Sequence, residues 1–201
     1  MKIKFLFFLL VFASILQAET PLERLIEGNK RFIDNKLLHP NRSLERREET
    51  AKKQEPFAII VCCSDSRVSP EIIFDQGLGD LFIVRVAGNV AGPLEVASIE
   101  YSALYLHSQL ILVLGHENCG AVCAVVEGQT KNIEPIASLI EPAVKATAKM
   151  AGSHLENTIK KNVQLVVEYL QNNPLLKELI DKKKLIVKGG YYNFHTGKVE
   201  L

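Results

Sequence analysis

Charge of neither sign predominates in this chain: 24 lysines and arginines stand against 23 aspartates and glutamates, a net +1 at pH 7. That balance leaves no electrostatic footprint for nucleic acid or for an anionic membrane surface, so neither is expected as a partner. Internal repeats are absent. With 47% hydrophobic and 23% charged residues, the composition also leaves no long disordered tract. Cysteine is scarce and poorly spaced for cross-linking: of the four, Cys62 and Cys63 are adjacent and Cys119 and Cys123 are one helical turn apart, which is no disulfide framework.

What is present begins with a leader. Lys2 and Lys4 precede an apolar run from Phe5 to Leu16, and Gln17-Ala18 offers a small residue for cleavage. This is the pattern of a secretory signal peptide over residues 1–18, and the run is too short to span a bilayer comfortably. A retained anchor or a buried N-terminal helix is the alternative. Cleavage gives an exported protein, periplasmic or secreted, with no stable membrane anchor. The 201 residues suit one domain, here 19–201.

Within it, residues 19–55 read as a helical arm. Thr20-Pro21-Leu22-Glu23 is a helix start, with threonine capping, proline in the first turn and glutamate reaching back. That helix is predicted to run to about Asn35, with Leu22, Leu25, Ile26, Phe32 and Ile33 as its apolar stripe, and a more exposed helix is predicted over Ser43 to Lys53. Two helices ahead of the first strand serve no crossover, so the arm is expected to pack on a neighbouring subunit.

From residue 56 the texture is α/β. Phe57 to Val61, Leu81 to Val84, Leu110 to Leu114 and Leu185 to Lys188 are nearly continuous apolar runs, as parallel strands are. Helices are predicted over Pro70 to Phe74, Pro93 to His107, Cys119 to Val126, Pro135 to Met150 and Leu155 to Gln171. The fold expected is α/β: a central, mostly parallel sheet of about four parallel strands plus an edge strand from Tyr191 to Leu201, flanked by helices.

Two short clusters carry the chemistry. Cys63-Ser64-Asp65-Ser66-Arg67 follows the first strand and His116-Glu117-Asn118-Cys119 follows the third, so both fall at carboxyl ends of parallel strands, where such sheets place their sites. Two thiolates and one imidazole are donors that select zinc, one ligand short of a closed tetrahedron, which leaves a position for water. Asp65 can accept a hydrogen bond from the resulting hydroxide while Arg67 holds the carboxylate; with Arg67 released, Asp65 can ligate the metal instead. Taken singly, His-x-x-Cys is a weak signal and Cys-x-Asp-x-Arg can be a turn with a surface ion pair. Ligation protects Cys63 and Cys119 from exchange, and Cys62 and Cys123 read as buried apolar thiols. His39, His107, His154 and His195 lack such context and read as surface or core residues.

These residues, with Arg85-Val86-Ala87-Gly88-Asn89-Val90 and Gly115 to Gly120, closely resemble the β-class carbonic anhydrases over nearly the whole mature chain. The resemblance implies one zinc ion per subunit on Cys63, His116 and Cys119, an Asp65 and Arg67 dyad, and reversible hydration of carbon dioxide to bicarbonate. It implies homodimers, often paired into homotetramers, whose leading helices wrap the partner. It places Gln54, Phe82, Ala87, Gly88 and Asn89 in the substrate cleft. Some members carry a regulatory bicarbonate pocket built from a tryptophan, an arginine and a tyrosine; Arg85 and Tyr192 match two positions, but Ile60 occupies the third and the chain has no tryptophan. The dyad is therefore expected to be paired, leaving the metal open to water. Hydrolysis of carbon disulfide or carbonyl sulfide on the same site is the nearest alternative. A non-catalytic zinc-binding or thiol redox protein using Cys62, Cys63, Cys119 and Cys123 is the alternative of another class.

Overall fold

Five strands form one sheet in the order β2-β1-β3-β4-β5: β1 Ala58–Cys62, β2 Leu81–Arg85, β3 Leu110–His116, β4 Ile186–Tyr192 and β5 Val199–Glu200. The first four run parallel and the short β5 closes the edge antiparallel to β4. This computed structural model describes residues 19–201, so the leader expected over 1–18 lies outside the described residues. Every residue of β1 and β3 is buried, which is why both read as unbroken apolar runs.

Side chains alternate between two cores. Ile59, Val61, Ile111 and Val113 face α4 Pro93–Tyr105, α7 His154–Gln171 and α8 Pro174–Asp181. Ile60, Leu112 and Leu114 face α1 Pro21–Ile33 and the short α3 Pro70–Ile73. A third cluster, in which α5 Gly120–Val126 and α6 Glu134–Thr147 meet α7, includes Cys63 and Cys119 and backs the carboxyl ends of the strands. Helix α8 escapes the sequence reading although Asn173 caps it, accepting from the N–H groups of Leu175 and Leu176, with Pro174 next.

Helix α1 carries the predicted capping box between Thr20 and Glu23, and one face of it lies on its own sheet, with Leu25 only 1% exposed against the α3 face. Asn29 ties it to the far end of the chain: its Nδ2 donates to the carbonyls of Ile73 and Gly197, and its Oδ1 accepts from Val199 N–H. A buried asparagine with three partners satisfied by its own chain fixes the helix there. Helix α2, Leu44–Thr50, buries no residue.

The fully buried Asp75 fastens the stretch of chain between α1 and α2. Its carboxylate accepts from Arg31 Nε at 2.7 Å and from the N–H groups of Leu38 and His39 at 3.0 Å. Burial pushes this carboxyl up, but Arg31 and the two N–H groups outweigh burial and hold it below its ordinary value. A depressed carboxyl stabilises the fold above the unfolded pKa of about 4, and the contribution is lost as pH falls through the folded value. Asp75→Asn, which tolerates the left-handed φ of 47° found there, is expected to cost about 3 kcal/mol at neutral pH. The gap from wild type should narrow below about pH 4. Urea unfolding at both pH values checks it; equal stability at neutral pH refutes the assignment.

Candidate metal centre

The register sets the site. Cys62 is paired with Arg85 on one side and Leu114 on the other, so the chain after β1 leaves the sheet beside the end of β3. His116 is the last residue of β3, and Cys119 is the cap of α5, reached through a turn in which Asn118 takes a φ of 51°. Among the described residues, Cys63, His116 and Cys119 bring three ligand atoms within 4.8 Å of one another, all buried. The sulfurs of Cys63 and Cys119 are 3.9 Å apart.

Protons in this triangle are unevenly held. Cys63 Sγ lies against the Cys119 sulfur and accepts from the N–H groups of Gly88 at 3.3 Å and Asp65 at 3.4 Å, contacts that draw its pKa far below that of a free thiol. Cys119, sharing its proton with that sulfur and buried, is pushed up. His116 Nδ1 donates to the Glu117 carbonyl at 2.9 Å, which leaves Nε2 as a bare lone pair. That atom is buried and has no hydrogen-bond partner among the described residues. A buried nitrogen left without a partner beside two sulfurs is costly unless something electrophilic fills the space they share. The donor set therefore fits a zinc ion.

Beside the triangle, Asp65 and Arg67 are paired. Arg67 Nε donates to Oδ1 at 3.0 Å and Nη2 to Oδ2 at 2.8 Å, and the Arg67 N–H adds a third bond to Oδ1. These bonds, Arg67's side chain first, hold the Asp65 carboxyl down at about 2. Its Oδ2 lies 3.9 Å from His116 Nε2, so the carboxylate faces the open side of the donor triangle.

Of the residues assigned to a cleft, Ala87, Gly88 and Asn89 form a 3₁₀ turn directly after β2, at the site end of the sheet. Gly88 is needed there: its φ is 73°, and a Cβ would meet Ile140 at 2.7 Å. Gln54 and Phe82 lie at the opposite end of the sheet in their own chain. Gln54 precedes the amino end of β1, and Phe82 pairs with Ile59 near that same end, where it packs against Tyr101. A five-residue strand spans roughly 16 Å, so neither reaches the site of its own chain. The cysteines left over also separate: Cys62 is fully buried and its thiol is pushed up to about 12 by burial, whereas Cys123 is half-exposed and donates to Glu127.

Sequence reasoning missed Phe194 and Glu117, and it matched Arg85 only to an incomplete anion pocket. Arg85 donates to the carbonyls of Cys63 and Asp65 and so braces the loop, while Ile60 is buried and Tyr192 packs edge-on against Phe194. Phe194 lies under Arg67, with Cζ 4.2 Å from the ring centroid, and 5.2 Å from the His116 ring. Glu117 holds that segment, its Oε2 accepting from Phe194 N–H at 3.0 Å, with His195 3.7 Å from its other oxygen. The unassigned acidic residue inside His-Glu-Asn-Cys was the one signal available.

A parallel sheet carrying a Cys-His-Cys candidate metal centre at its carboxyl edge, faced by a paired carboxylate, defines a class of α/β protein with a three-donor candidate site. Comparison narrows the class. The sequence profile of the family described as carbonic anhydrase matches residues 58–199. The chain is 37% identical over 183 residues to the carbonic anhydrase of Mycolicibacterium smegmatis, covering 87% of this chain and 88% of that one. The solved β-carbonic anhydrase CcaA superposes with a TM-score of 0.71 at 26% identity, over 89% of this chain and 93% of that one. A structure from Sordaria macrospora, described as a tetrameric β-carbonic anhydrase, shares the fold with a TM-score of 0.68 at 23% identity, over 87% and 92%. The chain belongs to the carbonic anhydrase family, in its β class, and is an enzyme.

Proposed function

We propose that this chain catalyses the reversible hydration of carbon dioxide to bicarbonate and a proton, with one zinc ion per subunit held by Cys63, His116 and Cys119. The observation that carries the reading is the buried, unpartnered Nε2 of His116, at one corner of a triangle with two sulfurs and 3.9 Å from the Asp65 carboxylate. Zinc held there lowers the pKa of water and supplies a nucleophile at neutral pH. The remaining work falls to the protein. Asp65 Oδ2 accepts the hydrogen bond of the attacking oxygen and leaves its lone pair aimed at the carbon. Arg67 keeps that carboxylate charged and fixed in one orientation, and Arg85 braces the loop that carries it. Gly88 and Asp65 N–H groups stabilise the Cys63 thiolate, which keeps its charge on the donor side of the site.

Stopped-flow hydration of carbon dioxide by zinc-quantified protein tests this. Activity is expected to follow zinc content, to vanish with a chelator and to return on adding zinc. A fully zinc-loaded protein with no hydration between about pH 7 and pH 9 would overturn the reading.

A further inference from the structure

We propose that Phe194 is a positioning residue of the site: its ring is the surface against which Arg67 rests while holding Asp65, and Glu117 fixes that ring in place. The inference rests on the functional reading given to Asp65 and Arg67. Arg67 is 55% exposed, so water competes for its donors from the open side. A two-pronged grip by so exposed a side chain needs a second contact to keep the guanidinium in one plane. Phe194 supplies it as a flat face 4.2 Å from Cζ, which suits a planar cation as an aliphatic side chain of similar volume does not.

The ring has little freedom of its own. It stands edge-on to Tyr192 with centroids 5.4 Å apart and tilted against His116 at 5.2 Å, so two aromatic contacts hold the ring while one face serves the arginine. Its backbone N–H is held by Glu117 Oε2, and the Glu117 N–H donates to the Tyr192 carbonyl at 2.9 Å. The turn beyond closes on itself, Asn193 N–H donating to the Lys198 carbonyl and Gly197 N–H to that of Asn193. The residue after the histidine donor thus acts on the arginine without touching it.

The test compares Phe194→Leu, Phe194→Tyr and Glu117→Leu in zinc-loaded enzyme, reading carbon dioxide hydration and the Arg67 Nε–H resonance in arginine-selective proton–nitrogen spectra, assigned with Arg67→Lys. Phe194→Leu should lower kcat/KM by about threefold to thirtyfold through kcat at unchanged zinc content. Its Arg67 resonance should move towards that of solvent-exposed arginines. Phe194→Tyr should restore both readouts, and Glu117→Leu should reproduce the spectral change. An unmoved resonance in Phe194→Leu overturns the proposal, as does equal impairment of the leucine and tyrosine variants. The resonance reports the contact whether or not the enzyme turns over. A wild type without hydration but with a resonance sensitive to Phe194 would therefore sink the functional reading and spare the contact.

Discussion

Cys119→Ser protein is expected to emerge folded but without stoichiometric zinc, and to hydrate carbon dioxide at least about a thousandfold more slowly than wild type, a loss of roughly 4 kcal/mol in barrier terms. Cys119 is fully buried with its sulfur 3.9 Å from that of Cys63, so the change acts inside the donor triangle. A serine hydroxyl stays protonated at neutral pH and is a poor partner for zinc, leaving one sulfur and one imidazole to hold the ion. The fold should survive, because the serine is nearly isosteric and the α5 cap loses no side-chain hydrogen bond to the helix. Metal analysis after dialysis, paired with stopped-flow rates, decides the matter. Stoichiometric zinc with a tenth or more of the wild-type rate would remove Cys119 from the ligand set.

Asp65→Asn should be nearly as damaging to turnover while leaving zinc in place. The amide keeps the shape but turns one oxygen into an NH₂ group, which cannot accept from Arg67 and offers a donor where the attacking oxygen needs an acceptor. A fall in kcat/KM of about a hundredfold to a thousandfold is expected, the range for a lost positioned proton acceptor or oriented dipole. Because Arg67 holds the wild-type carboxyl down at about 2, Asp65 is charged throughout the working range. Asp65 itself should therefore add no limb to the wild-type profile between about pH 6 and pH 9, while removing its charge should move the limb of the attacking water to lower pH. A wild-type limb that disappears in Asp65→Asn would mean that Asp65 titrates during turnover, against the role given to it.

Much of this was legible in the chain because burial on both faces writes itself as unbroken apolar residues, as in Ala58–Cys62 and Leu110 to Leu114. The donor residues were legible for a different reason: their chemistry is rare enough to stand out at strand ends. What was hidden was hidden by packing. Strand β4 runs on to Tyr192 rather than ending near Lys188, because Gly189 looks like a break in sequence. In space it is where Val163 of α7 comes so near that a Cβ would lie 2.8 Å from it. Phe194 was absorbed into an anticipated edge strand, since nothing local marks an aromatic that will meet a residue far earlier in the chain. Gln54 and Phe82 lie at the amino end of the sheet in their own chain, so their place in a cleft is carried by the resemblance and not by the register.

The tie between the first helix and the last strand has a consequence for how the molecule is made. Asn29 and Val199 are 170 positions apart, and the segment between β4 and β5 carries Phe194. Cys63, His116 and Cys119 leave the ribosome long before Phe194 does, so a nascent chain holds every donor while one wall of the site is still unsynthesised. Closing so long a loop is expected to come late in folding, after the local elements have formed. Removing residues 193–201 is therefore expected to loosen the grip of Arg67 on Asp65 as well as the tie to α1.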